Sequence, residues 1–91
     1  MGQVAETIQA KLQEAFSPQR LEVTDDSARH AGHAGAREGG ESHFNVVIVS
    51  HAFQGLSRVQ RQRGVYAALA DELAGPVHAL SLRVLAPGEP D

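Results

Sequence analysis

The stretch His43–Leu73, "HFNVVIVSHAFQGLSRVQRQRGVYAALADEL", decides how the rest of the chain is read. Its first part, His43 to Ser50, is a near-continuous apolar run rich in valine and isoleucine, the composition of a strand that is buried more completely than a half-exposed one. After "HAFQGL" the pattern changes. Ser57, with Gln60 three residues on, forms a capping box, so a helix opens there. The spacing carries it to about Leu73, with Val59, Tyr66, Leu69, Ala70 and Leu73 as its buried stripe and Gly64 as the place where it would bend into two pieces. Gly75 followed by Pro76 is its stop signal.

On the far side of that stop, "VHALSLRVL" alternates Leu80, Leu82 and Val84 with Ala79, Ser81 and Arg83, which predicts a last strand. His78 shares the alternation of Leu80 and Leu82, so it reads as a partly buried residue at the strand's start. "APGEPD", residues 86–91, reads as a flexible tail. Upstream, "RLEVTD" alternates Leu21 and Val23 with polar neighbours as a half-buried strand does. Before it, Val4, Ile8, Leu12, Ala15 and Phe16 recur at helical spacing until "SPQ" ends the pattern. Between the first two strands lie roughly fifteen residues without periodicity, a length that in a compact domain is usually functional or disordered. The order is α-β-β-α-(α)-β over residues 1–91. This predicts a single α+β domain, with a three-stranded mixed sheet and helices packed on one face.

Composition narrows the function. The chain has 91 residues, a size that folds as one domain without staples. Eight Lys and Arg against eleven Asp and Glu, a net charge of −3, exclude a surface built throughout to neutralise phosphates or anionic lipid. With no cysteine, neither a disulfide nor a zinc or iron–sulfur site with thiolates from this chain alone is available. "MGQVAETIQAKLQEAF" shows neither a signal peptide nor a membrane span, and Glu6 stands where a myristoylation motif wants Ser or Thr. The expected location is the cytoplasm.

The successive blocks "LEVTDDSARHAGHAG", "ESHFNVVIVSHAFQGLS", "RVQRQRGVYAALADEL" and "PVHALSLRV" together resemble the BolA family in order and spacing, over nearly the whole chain. The resemblance implies a class II KH-like αββ(α)αβ fold, in agreement with the order read from periodicity. One block departs from the family. Its basic block usually reads Arg-x-His-Arg or Arg-His-Arg, whereas here Gln62 stands between Arg61 and Arg63.

Five histidines are present. His43 opens a strand and His51 sits in a turn, and both read as structural. His30 and His33 lie in "RHAGHAG", where nothing in the segment gives a packing reason for imidazoles and the glycines leave the backbone free to bring either to an external atom. The resemblance implies that His78, with a histidine of that loop, ligates a [2Fe-2S] cluster shared with a monothiol glutaredoxin and its glutathione. His33 is favoured over His30 for the loop ligand, with the choice left open. The donor chemistry suits a chain without cysteine, because two imidazoles can occupy one iron while thiolates come from the partner. No cluster is then expected on the chain alone, which would be a monomer or weak homodimer.

Two other readings stand beside this one. Arg58, Arg61 and Arg63 fall in the opening turns of the second helix, where the macrodipole disfavours cations, and could contact nucleic acid as in a transcriptional regulator. The third reading is a stress-linked interaction module without metal. "GHAG", Gly32 to Gly35, has the form of a KH GxxG loop but joins two strands rather than two helices, so it does not carry that mechanism. No nucleophile elbow or triad context is present, and the chain reads as non-catalytic.

Overall fold

The computed structural model describes residues 2–25 and 43–90 of the chain. Helix α1 spans Gln3–Phe16 and ends on Ser17, whose left-handed backbone (φ 45°) lets its N–H reach the Gln13 carbonyl. Strands β1 (Arg20–Asp25) and β2 (His43–Val49) follow, then a 3-10 turn at His51–Phe53, helix α2 (Arg58–Ala68), helix α3 (Ala70–Ala74) and strand β3 (Ala79–Leu85). The sheet order is β1-β2-β3, with β1 antiparallel to β2 and β2 parallel to β3. The three-stranded mixed sheet expected from the sequence is therefore present. Among the described residues no helix is long and apolar enough to cross a membrane.

The register explains why one face is apolar. Leu21 and Val23 of β1 sit opposite Ile48 and Val46 of β2, while Phe44, Val46 and Ile48 align with Leu80, Leu82 and Val84 of β3. Because side chains alternate along each strand, these residues all share one side. Ala5, Ile8 and Leu12 of α1, Val65 of α2 and the adjoining Leu69 complete the core on that side. The opposite side carries Glu22, Thr24, Asn45, Ser81 and Arg83, and its solvent exposure accounts for the alternation that made β1 and β3 legible.

Ser50 closes the end of the central strand. It is 2% exposed. Its Oγ donates to the Phe16 carbonyl at 2.6 Å and accepts from the Ala52 amide at 3.1 Å, while its own amide donates to the Leu85 carbonyl at 3.0 Å. One residue thus ties the end of α1, the 3-10 turn and the end of β3 to β2. Beside it the Phe16 and Phe53 rings meet with centroids 4.8 Å apart.

The second helix departs from expectation in phase and in its break. Val59 is 55% exposed, Tyr66 41% exposed, and Ala70 is also exposed; the buried positions are Val65 and Leu69, with Leu73 half-buried against the core. Leu69 and Leu73 hold the inward positions expected of them, while Val65 joins them in place of Val59, Tyr66 and Ala70, a choice made by packing on the sheet. The break falls at Leu69 (φ −108°, ψ 21°), not at Gly64, which lies against the Phe16 ring within the continuous helix. Asp71 and Glu72, misplaced at the C-terminus of a single long helix, thereby become first-turn residues of α3, where a negative charge is favoured. Glu72, largely buried, receives the Lys11 ammonium at 2.8 Å and so ties α3 to α1.

This phase is checked by truncation. Leu69→Ala is expected to cost about 2–5 kcal/mol in urea unfolding. Val59→Ala is expected to stay within about 0.5 kcal/mol of the parent. Equal costs at the two positions would restore the seam expected from the sequence.

Candidate functional site

Two surfaces hold the residues singled out in the sequence. The first is the end of the sheet where β2 and β3 begin. Parallel pairing sets His43 opposite Ala79, and β1 finishes at the same end with Asp25 opposite Phe44. The segment 26–42 therefore leaves and re-enters the sheet there. His30 and His33 lie outside the described residues. His78 immediately precedes β3 at this end, and its position follows from its neighbours. The Glu72 carbonyl accepts from the Gly75 amide at 3.2 Å and from the Val77 amide at 3.0 Å, fixing the turn after α3. Val77 is then buried as a plug against the core, and the next residue in the extended chain, His78, is exposed. The partly buried state expected for His78 is corrected by this register: the strand starts one residue later, and its inward alternation begins at Leu80.

An exposed imidazole at a sheet end can donate a single nitrogen to an external metal or a proton donor. Among the described residues, no three His, Cys, Asp or Glu side chains converge in a way that would hold a metal ion. His51 lies beyond the other end of β2 and is remote in topology from His78.

The second surface is the start of α2. The capping box predicted at Ser57 and Gln60 is formed, with both reciprocal hydrogen bonds present. It does not treat the three arginines alike. Arg58 and Arg63 are exposed, whereas the Arg61 side chain is only 12% exposed. Arg61 donates from Nε to the Leu56 carbonyl at 3.1 Å and from Nη1 to the Val84 carbonyl at 3.2 Å. Both its terminal nitrogens also engage the Glu89 carboxylate, Nη2 at 2.9 Å from Oε2. Glu89 in turn accepts from the Ala86 amide at 2.9 Å. The Arg61 guanidinium, followed by the Ala86 amide, holds the Glu89 carboxyl well below its ordinary range, at about 2.

Glu89 has no place in the sequence reading, where residues 86–91 form a tail. Residues 86–89 instead turn back on the body: Ala86 is buried, Gly88 takes φ 88°, and the Glu89 amide donates to the Ala86 carbonyl at 3.2 Å. The signal was available, since Pro-Gly at the centre of a four-residue turn is the type II signature, and such a turn returns the following side chain toward the strand.

Comparison with known proteins finds relatives over nearly the whole chain. A family model described as BolA-like protein matches residues 12–89. An uncharacterized protein of a Sinorhizobium species is 51% identical over 88 residues, covering 96% of this chain and 95% of that protein. The DNA-binding transcriptional regulator BolA of Escherichia coli is 48% identical over 79 residues, covering 87% and 71% of the two chains. The solved BolA domain of SufE1 from Arabidopsis thaliana superposes with a TM-score of 0.87 at 46% identity, covering 99% of each chain. The chain spans 62% of the length of human BolA-like protein 1.

The Arg61–Glu89 pair makes stability depend on acid in a defined window. A carboxylate whose value falls on folding from about 4.5 to about 2 stabilises the fold above the higher value and loses that contribution as pH drops to the lower one. Urea midpoints of the parent and of Glu89→Gln are expected to differ most at neutral pH and to converge between about pH 4.5 and pH 2. A gap that does not change across that window would mean that the carboxylate's charge does not stabilise the fold.

Proposed function

Because this chain belongs to the BolA family, we propose that it is a non-catalytic adaptor that binds a monothiol glutaredoxin and lends histidines to a shared [2Fe-2S] cluster. It would act in iron–sulfur trafficking or iron sensing in the cytoplasm. The observation that carries this reading is the sheet end. His78 stands exposed there, at the end where the segment holding His30 and His33 re-enters at His43. A single exposed imidazole is a donor without a complete site, which suits a cluster whose remaining ligands come from another molecule. The chain has no cysteine, so in this reading the thiolates would come from the partner and its glutathione.

His78 and one loop histidine, His33 before His30, would hold one iron through neutral imidazole nitrogens, and the bound cluster would supply a transferable or redox-active centre. What the chain itself does is position the donor. The buried Val77 and the Glu72 carbonyl hold the start of β3, so that His78 meets a partner from a fixed base. The nucleic-acid reading has less behind it, because Arg61 is committed to Glu89 and two carbonyls, leaving Arg58 and Arg63 as the exposed cations of that helix.

The experiment is to mix the chain with a glutathione-loaded, cluster-bearing monothiol glutaredoxin and record visible absorption and circular dichroism. The chain alone should retain no cluster. The mixture should give a heterodimer whose spectrum differs from that of the glutaredoxin homodimer. His78→Ala should remove most of the difference, His33→Ala or His30→Ala should weaken it, and His51→Ala should leave it intact. An unaltered glutaredoxin spectrum with the parent chain would overturn the proposal.

A further inference from the structure

β3 begins immediately after His78 and offers an outer edge with a groove beside it. We propose that the groove between α2 and the edge of β3 takes an acidic, extended polypeptide segment of a partner protein, paired to β3 as a fourth strand. In the order β1-β2-β3, the outer edge of β3 pairs with no described strand. The Leu85 carbonyl accepts from Ser50, so Leu85 faces β2; by the two-residue alternation Leu80, Leu82 and Val84 turn their backbone groups outward. Among the described residues, side chains close only the far end of this edge. Arg61 takes the Val84 carbonyl and Glu89 takes the Ala86 amide. The outward groups of Leu80 and Leu82 have no hydrogen-bond partner among the described residues. β3 contains no proline or lysine that would discourage pairing.

Beside this edge runs a groove of about 540 Å³, bounded by Leu56, Arg58, Arg61 and Gln62 on one side and by residues 82–85 on the other. Arg58 and Arg83 are exposed and have no acidic partner among the described residues. The groove is thus positive on a chain of net charge −3. The chain's own Glu89 demonstrates the chemistry, since its carboxylate is held jointly by a guanidinium and a strand-end amide. A partner strand bearing carboxylates on both its faces would repeat that arrangement at Arg58 on the α2 side and at Arg83 on the open side of the sheet, with backbone hydrogen bonds giving affinity and the charges giving selection. Single-stranded nucleic acid is the poorer fit, because among the described residues no aromatic side chain lines the groove to stack a base.

The probe is a fluorescein-labelled eight-residue peptide of alternating glutamate pairs and valine pairs, which puts glutamates on both faces of an extended strand, blocked at both ends and titrated against the full chain by fluorescence polarisation. Saturable binding is expected, and a lysine–valine peptide should bind at least tenfold more weakly. At saturation the Leu80 and Leu82 amides should exchange at least tenfold more slowly. The double variant Arg58→Gln with Arg83→Gln, which alters only exposed side chains, should keep its circular dichroism spectrum and lose at least tenfold in affinity. The proposal is overturned by an absence of saturable binding, by binding that leaves Leu80 and Leu82 unprotected, or by a preference for an oligothymidylate of eight nucleotides over the peptide.

Discussion

The structure depends on β2 being paired on both edges. Its partner on one side runs antiparallel and its partner on the other runs parallel, so β2 must be apolar enough to be covered and regular enough to serve two ladders at once. Valine and isoleucine at Val46, Val47, Ile48 and Val49 meet both demands, since β-branched side chains suit the pleated backbone and supply the buried face. Ser50 then ends the strand without leaving its polar groups unsatisfied. Its hydroxyl serves the last turn of α1, and its amide serves β3, so three elements share one terminus. A buried hydroxyl with its partner removed costs about 1–3 kcal/mol, which makes this corner sensitive to a change of one atom.

Much of this could be read from the residues, because most of the signals were local. The alternation in β1 and β3 reports a sheet with one wet face, and the capping box at Ser57 reports a helix start through contacts three residues apart. The α2 stripe was harder because its choice of face is not local. Leu69 and Leu73 face inward as expected, but Val59 is as apolar as Val65, and the selection between those two is made by the sheet beneath and by Lys11, which draws Glu72 inward from another helix. His78 was placed on the right end of the right strand, but its exposure depends on where the strand begins, and that is set by the amides of Gly75 and Val77 reaching back to Glu72. Glu89 was missed for the same reason. Its partner is far away in sequence, and only the turn at Pro87 and Gly88 hints that it returns.

The two surfaces on β3 have different physical characters. At its start the chain presents a side chain, the exposed imidazole of His78, which under the proposed function would be completed by ligands from a second molecule. Along its outer edge the chain presents backbone, framed by cations, where shape and charge do the selecting. Arg61 belongs to neither in a simple way. Its position in a basic helix suggests an outward-facing contact, yet its side chain is spent on carbonyls and a carboxylate of its own chain.

The parallel ladder between β2 and β3 has a consequence for how the molecule assembles. A parallel neighbour can be reached only by a crossover, and here the crossover contains the 3-10 turn, α2 and α3. Pairing of His43 with Ala79 therefore closes a long stretch of chain, an entropically slow event beside the formation of α1 or α2. The sheet end that bears His78 is consequently held by a pairing that spans the whole crossover rather than by local contacts alone. A newly made chain with its helices in place but β3 still undocked would carry the histidine without yet offering it in any fixed relation to the rest.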